Sequence, residues 1–195
     1  MSESPHAPDV VARPADAERW DDLLEVFRPR GAYDGCWCMY WRIKRSEMGR
    51  LKTAGRRAAL HELTTRPRPP GLLYYEVSGG GTPVPFGWCA LGPREDFSVL
   101  QRSPVLKPVD ELPTWSMVCF FLREPYRGRG LFRRLAALAL DYARAQQAPR
   151  IEVYPRENHI TGPYAYQGIT SVYLSLGFRE IARRKPLRPI LRLEL

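Results

Sequence analysis

The spacing of apolar side chains along this sequence changes several times, and each change marks an element. Val10 to Arg13 reads as a short strand. Beyond Asp16, an N-cap by residue type, Trp20, Leu23, Leu24 and Phe27 recur at helical spacing. They predict an amphipathic helix with Glu18, Asp21 and Asp22 near its positive end, stopped by Pro29 and Gly31. A second helix over Thr53 to Leu63 ends before the Pro-rich run Arg66 to Pro70. Leu72 to Val77 and Val84 to Leu91 read as two strands around the turn Gly79-Gly80-Gly81-Thr82-Pro83. Gly92 to Pro113 is a long connection of the kind that tends to be functional or mobile. Thr114 to Leu122 is almost continuously apolar, as in a strand buried on both faces. Leu131 to Gln147 is the clearest helix: Leu131, Leu135, Leu138 and Tyr142 form a stripe, with Ala136, Ala139 and Ala143 beside it. A strand at Ile151 to Tyr154, a loop to about Gly168 and a short helix from Thr170 to Leu176 follow. Gly177 closes that helix, and Phe178 to Arg183 and Ile190 to Leu195 are the last strands. The order predicts an α/β (α+β) chain, a mixed sheet with helices on its faces.

Composition narrows this picture. With 195 residues, 44% apolar and 26% charged, the chain can bury a sizeable core, and it is expected to form one domain over residues 9–195 behind a disordered segment, residues 1–8. No apolar run reaches the length of a membrane span and Met1 to Pro8 lacks the pattern of a secretory signal, so a cytoplasmic protein is expected. Cys36, Cys38, Cys89 and Cys119 are too few for a disulfide framework, and His6, His61 and His159 are scattered. Reduced thiols and no metal are therefore expected.

Charge adds a direction. The net charge is +9, carried by 26 Arg and four Lys, and residues 123–195 alone hold 14 basic and six acidic groups. The excess fits either an anionic partner, for whose phosphate the planar guanidinium is suited, or an Arg-rich surface that is merely solvated. Two other segments stand out. Tyr33 to Trp41 (YDGCWCMYW) holds four aromatics and two cysteines in nine residues, either a buried plug or the aromatic wall of a ligand pocket. Arg42 to Arg57 carries seven basic residues and one acid.

The chemistry concentrates between the buried strand and the clearest helix, in Arg123-Glu124-Pro125-Tyr126-Arg127-Gly128-Arg129-Gly130-Leu131. A strand, a glycine-bearing turn and a helix start make an anion site: unpaired N–H groups and the positive dipole end face the ligand, and glycine lets the backbone approach it. The turn lacks both the P-loop and the dinucleotide fingerprints. An RG-rich RNA-binding tract is the competing reading, but such tracts are disordered, whereas this turn joins two strong elements.

The run Val118 to Ala136 (VCFFLREPYRGRGLFRRLA) resembles motif A of the GCN5-related N-acetyltransferases, Q/R-x-x-G-x-G/A. Arg127, Gly130 and Phe132 take its three defined positions, the last with a larger side chain than the pattern has. Tyr173 to Phe178 (YLSLGF) is similar to the family's Y-x-x-x-G-F ending. The resemblance implies an acyl-CoA N-acyltransferase fold, with a mostly antiparallel sheet of about seven strands, and a direct transfer of acetyl from acetyl-CoA to a primary amine of a small molecule or peptide.

It also implies roles. The pyrophosphate of acetyl-CoA would rest on the amides of Gly128, Arg129, Gly130, Leu131 and Phe132, with Arg127 and Arg129 alongside and Arg133 or Arg134 near the 3′-phosphate. The pantetheine arm would pair with Phe120, Phe121 and Leu122, and an N–H near Leu122 would polarise the thioester. Tyr173 would protonate the departing thiolate. Glu152, pointing opposite Ile151 and Val153 on its strand, is the first choice for general base, with Glu95 and Asp96 as alternatives. Tyr166 stands where the family has an Asn. The acceptor is expected against Trp37, Tyr40 and the loop Gly92 to Pro113. Partners are acetyl-CoA and the amine, with a homodimer allowed; membrane is excluded and nucleic acid disfavoured. A non-catalytic acyl-CoA sensor is the alternative function.

Overall fold

The computed structural model describes residues 9–77, 80–157 and 166–195. The expected disorder of residues 1–8, Gly79 of the hairpin turn and most of the loop before Gly168 lie outside them. Seven strands form one sheet: β1 (Asp9–Pro14), β2 (Gly71–Val77), β3 (Val84–Pro93), β4 (Trp115–Leu122), β5 (Arg150–Val153), β6 (Arg179–Ala182) and β7 (Ile190–Glu194), in the order β1-β2-β3-β4-β5-β7-β6. Among the described residues β4 and β5 are the one parallel pair, and the other neighbours are antiparallel. The helices are α1 (Trp20–Phe27), α2 (Arg45–Arg50), α3 (Lys52–Thr64), α4 (Ser98–Arg102), α5 (Phe132–Ala145) and α6 (Thr170–Ser175).

Strand alternation sorts the apolar side chains into two cores. Leu72, Tyr74, Phe86 and Met117 join α5 and α6 on one face, while Leu73, Tyr75, Trp88 and Val118 join α1 and α3 on the other. Burial on both faces explains why β2 to β4 are nearly continuous apolar sequence. On α5 the buried face is Leu135, Ala136, Ala139, Leu140 and Ala143, rotated from the predicted stripe so that Leu138 and Tyr142 lie at its margin. Three alanines let the helix axis approach the sheet, while Leu138 and Tyr142 lie at the flank.

Two short helices had no apolar period to announce them. Polar α2 buries none of its residues and is held by the Lys44 N–H donating to the Glu47 carboxylate at 2.9 Å, the return bond of a capping box. The other, α4, lies inside the long Gly92 to Pro113 connection. That connection is tied down: Arg94 donates to Asp110 O at 2.9 Å, and Arg184 donates to Lys107 O at 2.6 Å and Pro108 O at 3.1 Å.

Candidate active site

The sheet opens at β4. Its pairing with β3 runs Ala90↔Cys119 and then Leu91↔Met117, so Val118 is the extra residue of a β-bulge. Its parallel pairing with β5 stops at the same level, at Met117↔Val153. A bulge bends and twists its strand, and here the bend coincides with the parting of β4 from β5. Beyond it, Cys119 to Leu122 run on without a sheet neighbour on the β5 side among the described residues. Phe120, Phe121 and Leu122 therefore sit on an unpaired strand edge, where an extended amide-bearing chain can add as a strand.

This edge leads into the turn before α5. Gly128 and Gly130 have φ of +71° and +70°, and a Cβ at either would meet nothing within 4 Å. The amides of Gly128 to Leu131 have no backbone acceptor among the described residues. Orphan donors, an open space above two glycines and the positive end of a 14-residue helix make an anion cradle.

The arginines have structural anchors. Arg127 Nε donates to Leu122 O at 2.8 Å and its guanidinium lies 5.5 Å from the Phe121 ring centre, fixing the turn to the strand. Arg129 lies over the Tyr126 ring at 5.5 Å. Arg133 donates to the Ser175 hydroxyl and, at 3.5 Å, to Ser175 O, which ties α5 to α6. Arg134 reaches the other way, to Val10 O and Asp9.

Phe132 points inward. Its ring meets Phe120 edge-on at 5.0 Å and Tyr173 at 5.3 Å, and Tyr173 packs on Phe178 at 5.3 Å. Tyr173 is fully buried and its hydroxyl donates to Gln167 O at 3.2 Å. Burial pushes this phenol well above its ordinary pKa, so it is held as a proton donor.

Glu152 does not join this group. It faces the α1–α3 side level with Ser116, before the sheet parts, and is 1% exposed. Oε1 accepts from Arg192 at 2.6 and 3.1 Å and lies 3.7 Å from the Arg94 guanidinium, while Oε2 accepts from the Tyr154 hydroxyl at 2.9 Å. The same Arg192 pairs with Asp110 at 2.7 Å. The expected base thus occupies the centre of a buried clamp joining β5, β7 and the long connection, and it lines neither of the two cavities described below. The alternatives fare no better on geometry: Glu95 and Asp96 lie in a short 3₁₀ turn outside both cavities, with Asp96 3.9 Å from Arg42.

A cavity of about 340 Å³ opens beside the parted strands. One wall is Cys119, Phe120 and Phe121 of β4; the facing wall is Tyr33, Asp34, Cys36, Cys38, Tyr40 and Trp41, with Arg56, Arg156 and Tyr166 at other points of the lining. Cys38 accepts from the Trp88 indole at 2.8 Å and lies 4.0 Å, sulfur to sulfur, from Cys119. Burial raises the Cys38 thiol, and its hydrogen bond with Cys38 raises Cys36 even before burial is counted, so both are held protonated. The aromatic segment is therefore both plug and wall. Tyr40 lines the cavity as expected, Trp37 turns away from it, and the loop Gly92 to Pro113 contributes nothing. Asp34, Arg56 and Arg156 were missed. Asp34 lies in the singled-out segment, but nothing in its neighbours distinguishes it from an ordinary turn Asp.

Among the described residues no cluster of three or more His, Cys, Asp or Glu side chains could hold a metal ion, and no helix is long and apolar enough to cross a membrane. The model of the acetyltransferase (GNAT) family matches residues 33–163. No curated protein sequence matches the chain. Among solved structures, the fold is similar to a Listeria monocytogenes GNAT-family acetyltransferase (TM-score 0.54, 11% identity, 98% of each chain covered). It is also similar to PaiA N-acetyltransferase of Thermoplasma acidophilum, solved with coenzyme A (TM-score 0.52, 13% identity, 96% of this chain and 99% of that one). A third is the GNAT domain of PAT from S. lividans (TM-score 0.52, 12% identity, 100% of each).

Proposed function

Since the chain belongs to the GNAT acetyltransferase family, we propose that it moves an acetyl group from acetyl-CoA directly to a primary amine bound in the cavity beside β4. The observation that carries this reading is the continuity of three features. The unpaired edge past the Val118 bulge leads into the glycine cradle of α5, and the cavity opens against the same strand segment.

Acetyl-CoA fits these residues as a substrate. The amides of Gly128 to Phe132 would hold its pyrophosphate, and Phe120, Phe121 and Leu122 would hold its peptide-like arm. Arg127 would shape the cradle through its bond to Leu122 O, with Arg129 and Arg133 adding positive charge around it. The coenzyme supplies an activated thioester; the protein must orient the amine, take its proton and return one to the thiolate. Tyr173, at the position the resemblance gives to the general acid, is assigned the last task. The amine proton is assigned to Asp34, the carboxylate that lines the cavity, with solvent as carrier. Glu152 is reassigned from base to anchor.

An amine panel with acetyl-CoA and thiol detection tests the proposal. Thiol release with at least one amine class is expected, falling about 100-fold in kcat for Tyr173→Phe with little change in the KM of acetyl-CoA. Asp34→Asn should slow turnover and leave coenzyme binding intact. The complete burial of Tyr173, with its hydroxyl on Gln167 O, favours one other reading, a module that binds acetyl-CoA without turnover. It predicts stabilisation by CoA but no thiol release with any amine.

A further inference from the structure

The second of the two cavities lies elsewhere and is the larger of the pair. A groove of about 800 Å³ lies between α1 and α3, within the size range of small-molecule sites. The sequence makes it directly. Trp20 and Leu24 stand one turn apart on α1, and Ala54 and Ala58 stand one turn apart on α3. The facing alanines are too short to meet the opposite helix, so the two rows stay apart, and Trp37 closes the space between them. The aromatic surfaces are held in place: Trp20 meets His61 edge-on at 4.5 Å and stacks near Trp37 at 6.2 Å, while the Arg57 guanidinium lies 5.7 Å from the Trp37 ring centre.

Charge decides what such a groove would take. Its lining holds Arg28, Arg57 and His61 and no acid. The Arg28 backbone N–H donates to Leu24 O at 2.8 Å, while its guanidinium makes no hydrogen bond or ion pair among the described residues. Cations at the rim of an apolar, aromatic interior complement a molecule with an anionic head and an apolar body.

The groove also shares a partition with the acceptor cavity. Trp37 lines the groove, and its chain neighbours Cys36 and Cys38 line the cavity. Trp37 and Cys38 have φ of 46° and 50°, left-handed backbone that non-glycine residues adopt at a penalty. A ligand that displaces the Trp37 backbone would carry the two flanking thiols with it.

We propose that the α1–α3 groove is a second ligand site, for a small aromatic or apolar carboxylate or sulfonate, and that its occupancy is transmitted to the acceptor cavity through Cys36-Trp37-Cys38. The site stands on the cavity and its charges and does not depend on the acetyltransferase reading, which CoA binding tests separately.

The probe is 8-anilinonaphthalene-1-sulfonate, with neutral N-phenyl-1-naphthylamine as its uncharged counterpart. Saturable fluorescence enhancement with the sulfonate is expected. It should weaken about threefold in Arg28→Gln and again in Arg57→Gln, with the neutral probe unaffected by either. Ala58→Trp should abolish sulfonate binding while the wild-type circular dichroism spectrum and a cooperative thermal transition persist, which shows that the variant is folded. Arg28 is exposed, so Arg28→Gln keeps the test alive if Ala58→Trp does not fold. Sulfonate binding that survives Ala58→Trp, or that is indifferent to both arginines, overturns the site. For the transmission, the rate at which 4,4′-dithiodipyridine modifies Cys36, read by peptide mass, should change at least twofold on saturation with the sulfonate. An unchanged rate overturns the coupling.

Discussion

Phe132 stands where the motif has a small residue, and its volume is taken up inside the fold. The ring leaves the cradle and closes on Phe120 and Tyr173. The compensating residue is Gly168, at φ +86°, where a Cβ would fall 2.4 Å from the Tyr173 hydroxyl and 2.5 Å from Phe132 Cζ. A larger residue at 132 is thus accommodated by glycine 36 positions on, a pairing invisible to any reading of local spacing. Glu152 makes the same point about charge. Alternation correctly turned it away from Ile151 and Val153, but only the sheet order brings Arg192 and Arg94 to it. Removing one partner of a buried ion cluster leaves the others uncompensated, so Glu152→Ala should lower stability by about 3–5 kcal/mol, read as a fall in the urea midpoint. Glu152→Gln should lose less, because it can still accept from Tyr154. Loss of turnover in Glu152→Gln at unchanged stability would instead return the residue to the role of base.

At the scale of elements, the strand and helix that flank the cradle were legible because each is long and strongly patterned. The Val118 bulge was not. A bulge depends on how many residues the partner strand supplies, and nothing in TWSMVCFFL marks the extra one. The two short helices were missed because five or six residues are too few to show a helical apolar period, and the groove depends on how two separately legible helices sit against each other. The cradle itself makes a sharp prediction. Gly130→Ala fits the empty space above the turn but must hold a positive φ, a penalty of about 1–2 kcal/mol. Its Cβ also enters the space assigned to the pyrophosphate. Wild-type protein at a CoA concentration 100 times its Kd should gain about 2.7 kcal/mol, visible as a thermal shift. Gly130→Ala should show a modestly lower melting temperature without ligand and little or no shift with it. A full shift in the variant would move the pyrophosphate elsewhere.

For the whole molecule, the titrating groups are unevenly placed, and the direction of that bias sets the pH response. On the acid side, the depressed carboxyls are at the surface. The hydrogen bond from Arg192 holds Asp110 below its ordinary value, and hydrogen bonds from Arg183 do the same for Glu157 and Glu180. Their contribution is present above about pH 4 and is lost as pH falls through the lower folded values. Their bonds tie the long connection to β7 and hold the β6 region, so acid should loosen these before the rest of the sheet. On the alkaline side the groups are in the core, apart from the half-buried Cys36 at the cavity wall. Cys36 is raised by its bond with Cys38 and by burial, and Cys38, Cys89, Tyr74, Tyr154 and Tyr173 are raised chiefly by burial. Each stays protonated in the fold while the unfolded chain ionises, thiols from about pH 8.5 and phenols from about pH 10. The unfolded state then binds fewer protons, so stability must fall as pH rises. Between pH 9 and 10 the three thiols alone impose a slope approaching about 4 kcal/mol per pH unit, and the phenols steepen it above 10. Urea unfolding from pH 4 to 10.5 should therefore show a broad plateau ending in a steep alkaline loss. Replacing Cys89 with Ser should make that loss shallower, beyond its effect on stability at pH 7. A symmetric profile, or an alkaline limb unchanged by Cys89→Ser, would mean that the thiols ionise within the folded core.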